Sequence, residues 1–181
     1  MMTPSIILIT GLMAAGKSSV AQALAERLPK SVHLRGDLFR RLIVRGRADL
    51  GFELTDEALA QLNLRYDIAV NVAKMYLAAG FTVVYQDIIL GHTLTQLVAN
   101  LQPAPLYVVV LCPNVDAVAK RELERNKRGY ADLAEVAQFD RVLRAETPRV
   151  GLWLDSSLMT VAETVDQILA RLPAALIDSE P

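Results

Sequence analysis

The run Gly11-Leu12-Met13-Ala14-Ala15-Gly16-Lys17-Ser18 fits the pattern G-x-x-x-x-G-K-[ST], whose chemistry is the gripping of a polyphosphate. Gly11 and Gly16 have no Cβ, so the backbone there turns tightly and comes close to a ligand. Successive N–H groups then converge at a helix N-terminus and form an anion cradle. Lys17 supplies a mobile ammonium for the β- and γ-phosphate oxygens. Ser18 offers a hydroxyl to Mg²⁺, a hard ion that prefers oxygen. The expected nucleotide-binding set is therefore Gly11, Leu12, Met13, Ala14, Ala15, Gly16, Lys17, Ser18 and the adjoining Ser19.

Such a loop needs a strand before it and a helix after it. The apolar run Ser5–Thr10 reads as the strand, and Val20, Leu24 and Leu28 mark the helix, which Pro29 ends. Four further strand-like runs follow: 32–34, 81–85, 106–111 and about 151–154. They alternate with helical patterns, of which 56–79 is the longest, capped by Thr55 and closed by Gly80. Others cover 115–125 and 160–172. Alternation of continuously apolar strands with helices predicts a three-layer α/β fold, a five-stranded parallel sheet covered on both faces. The segment 45–54 reads as a loop, and 178–181 as a frayed tail.

Ligands of such sheets bind beyond the carboxyl ends of the strands, so polar residues there are the candidates. Asp37 follows the second strand. It is placed to take the proton of an attacking hydroxyl and hold that hydroxyl in line with a γ-phosphate. It equally suits the N-cap of a short helix over 38–45, and the two roles are compatible. Asp87 ends the third strand, where a carboxylate holds a Mg²⁺-bound water or touches the acceptor; a strand-end turn residue is the plainer reading. The basic segment 120–129 sits where a mobile lid would place cations on the transferring group. Arg125 and Arg128 are the preferred lid residues, ahead of Arg121, although basic residues near a helix C-terminus also suit its dipole. Arg40, Arg41, Arg45 and Arg47 crowd the acceptor side, as anion ligands or as a solvated helix face. His33 and Tyr66 read as packed residues, and His92 lies in a loop past Asp87.

Size and composition bound the rest. The chain of 181 residues is 52% apolar, enough for one domain, residues 1–181, with its own core. A net charge of −1 gives no field for nucleic acid or an anionic membrane. No apolar run reaches membrane length, and no basic leader with a cleavage site opens the chain. The single cysteine, Cys112, follows an apolar strand and reads as a small buried hydrophobe. These features point to the cytoplasm and to a monomer or homodimer.

The residues resemble the chloramphenicol phosphotransferase-like group of P-loop kinases, related in turn to shikimate, gluconate and adenylate kinases. The likeness runs over most of the chain. It rests on Ile7-Leu8-Ile9-Thr10-Gly11 into Gly16-Lys17-Ser18, on Gly36-Asp37, on Gln86-Asp87-Ile88-Ile89-Leu90-Gly91, on the charged segment and on Leu154-Asp155-Ser156-Ser157. It implies ATP as donor, Mg²⁺ as cofactor and a small-molecule hydroxyl as acceptor. It further implies Asp37 as general base, lid arginines on the phosphates and Ser156 near the adenine. The region around Asp37 is more basic than chloramphenicol recognition requires, so the acceptor is open. Two other functions fit the same residues: a nucleoside or nucleoside-monophosphate kinase, and an ATP-binding regulatory switch.

Overall fold

The computed structural model describes residues 3–50, 54–124 and 133–178. Five parallel strands stand in the order β2-β3-β1-β4-β5: β1 Ile6–Gly11, β2 Ser31–Arg35, β3 Thr82–Gln86, β4 Leu106–Leu111 and β5 Leu152–Leu154. A sixth strand, β6 (Leu176–Ile177), runs antiparallel beside Leu106 and Tyr107, below β5 on the same edge of β4.

The pleat sorts β1 onto two cores. Ile6 and Leu8 join Tyr66, Ala69 and Ala73 of helix α3 (Asp56–Ala78) and Leu94, Leu97 and Leu101 of α4 (Thr93–Leu101). Ile7 and Ile9 join Val20, Ala21 and Leu24 of α1 (Lys17–Glu26) and Val165 and Ile168 of α7 (Val161–Ala170). All six residues of β1 are buried, because helices cover both faces. Burial of one Leu or Ile contributes about 1.5–3 kcal/mol, so β1 anchors the fold together with β4, whose Leu106, Val108, Val109, Val110 and Leu111 are also fully buried.

The remaining helices are α2 (Asp37–Arg41), α5 (Val115–Leu123) and α6 (Leu133–Arg141), the last running into a π-helical turn over Val142–Glu146. Thr55 caps α3 by accepting from the Ala58 amide, as expected. Thr160 and Glu163 form a capping box on α7. Several boundaries differ from expectation. The first helix stops at Glu26, short of Leu28, and α7 stops at Ala170, with Pro173 falling in a 3₁₀ turn (Leu172–Ala175). Asp37 is not the cap of α2; Gly36 is, and Asp37 sits inside the first turn with its side chain turned to arginines. Helices α4 and α6, the π turn and β6 were not expected at all. Among the described residues no helix is long and apolar enough to cross a membrane.

Candidate functional site

The carboxyl ends of β1, β2 and β3 and the start of α7 enclose a cleft of about 660 Å³. The phosphate loop forms its floor. Gly11, at φ +142°, packs so closely on β4 that an added Cβ would collide with the Leu111 carbonyl oxygen. Gly16 caps α1 at φ +94°, and Ala14 adopts φ +58°, unusual for a residue with a Cβ. These turns direct the loop backbone at the cleft, and residues 13–19 line it. Lys17 is only 7% exposed, and its Nζ donates to the Leu12 carbonyl at 2.6 Å, among other contacts. Ser18 and Ser19 are exposed on the cleft wall.

Asp37 and Asp87 line the same cleft. Asp37 is held on Oδ2 by Arg41 of its own helix. Its Oδ1 lies 3.6 Å from Arg35 Nε, too far for a hydrogen bond, and has no other hydrogen-bond partner. Asp87 is buried and tied down on both oxygens. Arg65 Nε donates to Oδ2 at 2.9 Å, and Arg65 Nη2 pairs with Oδ1. The Ile88 amide donates to Oδ1 at 2.7 Å, and the Tyr85 hydroxyl reaches Oδ2 at 3.4 Å. Gly36 makes room for this: a Cβ there would strike Asp87 Oδ2. Burial pulls Arg65 below its ordinary value, opposed by nearby Tyr66, Tyr85 and Asp37, but a guanidinium stays charged. Burial also pushes Tyr66 up to about 12 and Tyr85 well upward, so both phenols remain neutral donors.

The loop after β3 is clamped from three sides. Thr10 Oγ1 donates to the Ile89 carbonyl at 2.9 Å and accepts from the Ile89 amide at 3.0 Å. Tyr66 donates to the Ile88 carbonyl at 2.8 Å. Thr147, just after the π turn, accepts from the Gly91 amide at 2.9 Å and donates to the Val142 carbonyl at 3.2 Å. Across the cleft, Arg121 bridges the two rims: Nη1 donates to the Ala15 carbonyl at 3.3 Å and Nη2 to the Ser156 carbonyl at 2.7 Å. The Ser156 hydroxyl is buried beside the cleft and has no hydrogen-bond partner. Among the described residues no cluster of His, Cys, Asp and Glu is built to hold a metal.

The structure thus gathers the phosphate loop, Asp37, Asp87, Ser156 and Arg121 around one cavity. Arg125 and Arg128 lie outside the described residues. Arg40 turns to the Ala48 carbonyl, and Arg45 and Arg47 are exposed. His33 packs half-buried with Nδ1 2.8 Å from Gln22 Oε1. His92 stands at the start of α4, where its carbonyl accepts from Thr95. Sequence reasoning missed Arg65 altogether. A signal was there: Arg65 stands among Leu62, Tyr66 and Ala69 on the inward stripe of α3, where an unpaired charge is costly.

A family profile described as an AAA domain matches residues 6–148. The adenylyl-sulfate kinase of Paraburkholderia xenovorans (strain LB400) is 33% identical over 93% of this chain and 92% of its own length. Among solved structures, the tunicamycin resistance protein of Deinococcus radiodurans superposes with a TM-score of 0.72 at 17% identity, covering 97% of this chain and 99% of its own. The gluconokinase of Sinorhizobium meliloti 1021 gives 0.67 at 22%, covering 96% and 94%. The adenylyl-sulfate (APS) kinase of Mycobacterium tuberculosis, solved with AMPPNP and APS, gives 0.66 at 20%, covering 94% and 98%. At these identities the structural likeness is one of fold. Taken with the loop and the sheet order, the profile match makes the chain a member of the AAA domain family of P-loop kinases.

Proposed function

We propose that the protein transfers the γ-phosphoryl group of ATP to a hydroxyl of a small organic molecule. The observation that carries this reading is that the phosphate loop after β1 and Asp37 after β2 face one cavity. A carboxylate oxygen with no hydrogen-bond partner, Asp37 Oδ1, stands ready to accept a proton.

The loop fits a polyphosphate: Gly11 has no room for a side chain beside β4, Gly16 holds a left-handed φ, and the Lys17 ammonium is already directed at an oxygen in the loop. Loop amides of 11–19 and Lys17 would hold the phosphates, Ser18 the Mg²⁺, and the Ser156 hydroxyl the base. When bound, Mg·ATP supplies the electrophilic phosphorus and part of the charge neutralisation. Asp37 orients the acceptor hydroxyl and takes its proton. Asp87 already has a protein donor on each oxygen, so it would meet a metal through a metal-bound water. Arg125 and Arg128 would close on the transferring group. Little covalent chemistry falls on the protein, which positions groups and stabilises charge. The enzyme would act in the cytoplasm as a monomer or homodimer.

Chloramphenicol-type antibiotics and small metabolites are both acceptors of this class. The 33% identity to an adenylyl-sulfate kinase favours a nucleotide-like acceptor as the second reading. The test is ADP release across adenylyl sulfate, nucleoside monophosphates, gluconate and chloramphenicol, with Asp37→Asn as the control. The variant should keep ATP affinity within a few-fold and slow transfer by ~10²–10⁴. Collapse of ATP binding in that variant would place Asp37 in the donor site and overturn its role as base.

A further inference from the structure

Arg65 is a buried cation, 7% exposed, on the wall of the cleft. Its guanidinium has five N–H donors in a rigid fork. Asp87 takes the Nε and Nη2 edge, and among the described residues nothing accepts from Nη1. Asp87 therefore fixes the plane of the guanidinium and leaves its second edge available. A carboxylate used in this way orients a cation for another anion.

The charge around Arg65 supports this. Arg40 acts on Arg65 repulsively and Asp37 attractively. Asp37 is itself paired with Arg41 and flanked by Arg35. Four guanidinium groups (Arg35, Arg40, Arg41 and Arg65) thus share two carboxylates, Asp37 and Asp87, among the described residues. The Nε groups of Arg35 and Arg40 are buried and donate to nothing. A neutral acceptor would leave that positive excess in place; an anionic one would remove it.

We infer that the acceptor carries an oxyanion of its own, a carboxylate, sulfate or phosphate, seated on the Nη1 edge of Arg65 while its hydroxyl meets Asp37. This rests on the phosphotransfer reading above and narrows it to anionic alcohols. Arg65 is then a specificity residue on the acceptor side, with Asp87 positioning it.

The test loads the protein with Mg·AMPPNP, so that the phosphate loop is filled, and titrates in sodium sulfate or sodium acetate by calorimetry at constant ionic strength. Wild type should bind one anion per chain, and the preferred one identifies the oxyanion class. Arg65→Lys keeps a cation opposite Asp87 but lacks the second edge. It should weaken anion binding about tenfold or more with AMPPNP affinity within a few-fold. In ADP-release assays adenylyl sulfate should outperform adenosine, and gluconate should outperform glucose. Absence of anion binding to the loaded wild type, equal binding by Arg65→Lys, or turnover of a neutral acceptor at unchanged KM in that variant would overturn the inference. Failure of AMPPNP to bind at all would instead bring down the phosphotransfer reading itself, and this inference with it.

Discussion

At the scale of single residues, the least conspicuous position in the site is Gly36. Its φ of −61° is ordinary helix, so backbone strain does not explain a glycine there. Replacing glycine by alanine at such a position usually stabilises by about 0.4–1 kcal/mol. Here the new methyl would meet the buried Asp87 carboxylate, which Arg65 holds in place. Gly36→Ala is therefore expected to destabilise by about 1–3 kcal/mol, the usual penalty for overpacking. Urea denaturation measures it, and unchanged or raised stability would show that the Arg65–Asp87 pair is free to shift. His33 makes a second prediction. Burial first, and Arg35 second, hold its imidazole below the ordinary 6.5. The unfolded chain then binds the proton more readily than the folded one, so stability is full above about pH 6.5 and declines as pH falls through the folded value. His33→Gln should flatten the acid limb of a Tm-against-pH curve between about pH 7 and 5. Superimposable limbs for the two proteins would contradict the lowered His33 imidazole.

At the scale of elements, one short piece of chain ties two strand ends together. Arg144, in the π turn, donates from Nε to Asp140 at 2.9 Å and from Nη2 to the Pro113 carbonyl at 3.1 Å, just past β4. Thr147 holds Gly91, past β3. A π turn widens the helix by one residue, and here it precedes the Thr147 hydroxyl that reaches the loop. Thr147→Val keeps the volume but leaves the Gly91 amide without its acceptor, costing about 1–3 kcal/mol. The Gly91 amide should exchange hydrogen faster in that variant, and Thr147→Ser should restore protection. Equal exchange in all three proteins would mean that Thr10 and Tyr66 hold the loop alone.

This element also shows where sequence reading stops. The phosphate loop is contiguous, so residue types and spacing reveal it. The strands show as apolar runs because both faces are covered, whereas their order, with β3 between β1 and β2, is not read from the sequence, since parallel α/β sheets occur in more than one order. The Arg65–Asp87 pair spans 22 residues, and Thr147 lies 56 residues from Gly91. Neither link leaves a local trace, since each exists only when two elements dock. Helix α4 was legible in principle, with Leu94, Leu97 and Leu101 at helical spacing. It follows the Gly91 turn, five residues past β3, and the apolar Ile88-Ile89-Leu90 run obscured its start.

At the scale of the whole molecule, the proposed reaction would divide the fold into a donor part and an acceptor part. The donor part is β1, its loop and α1, tied by Arg121 to the Ser156 loop. Mg·AMPPNP at about 100 times its Kd should stabilise the folded state by about 2.7 kcal/mol, or roughly 5–10 °C in Tm for a chain of this size. Lys17→Ala should remove most of that shift and abolish ATP turnover, because the ammonium is the loop's one cationic side chain. A full shift in the variant would mean that the nucleotide binds elsewhere.

The strand order has one more consequence. Because β3 lies between β1 and β2, the loop and Asp37 stand two strand spacings apart, roughly 10 Å. The sheet is thus a ruler whose graduations are main-chain hydrogen bonds, and no side-chain exchange alters them. Among the described residues no further strand pairs with β2 on its outer edge. If the proposed transfer holds, a bulkier or smaller guest could be housed on that flank without changing the reach from phosphorus to alcohol, and new tastes in substrate could arise while the nucleotide half is left alone.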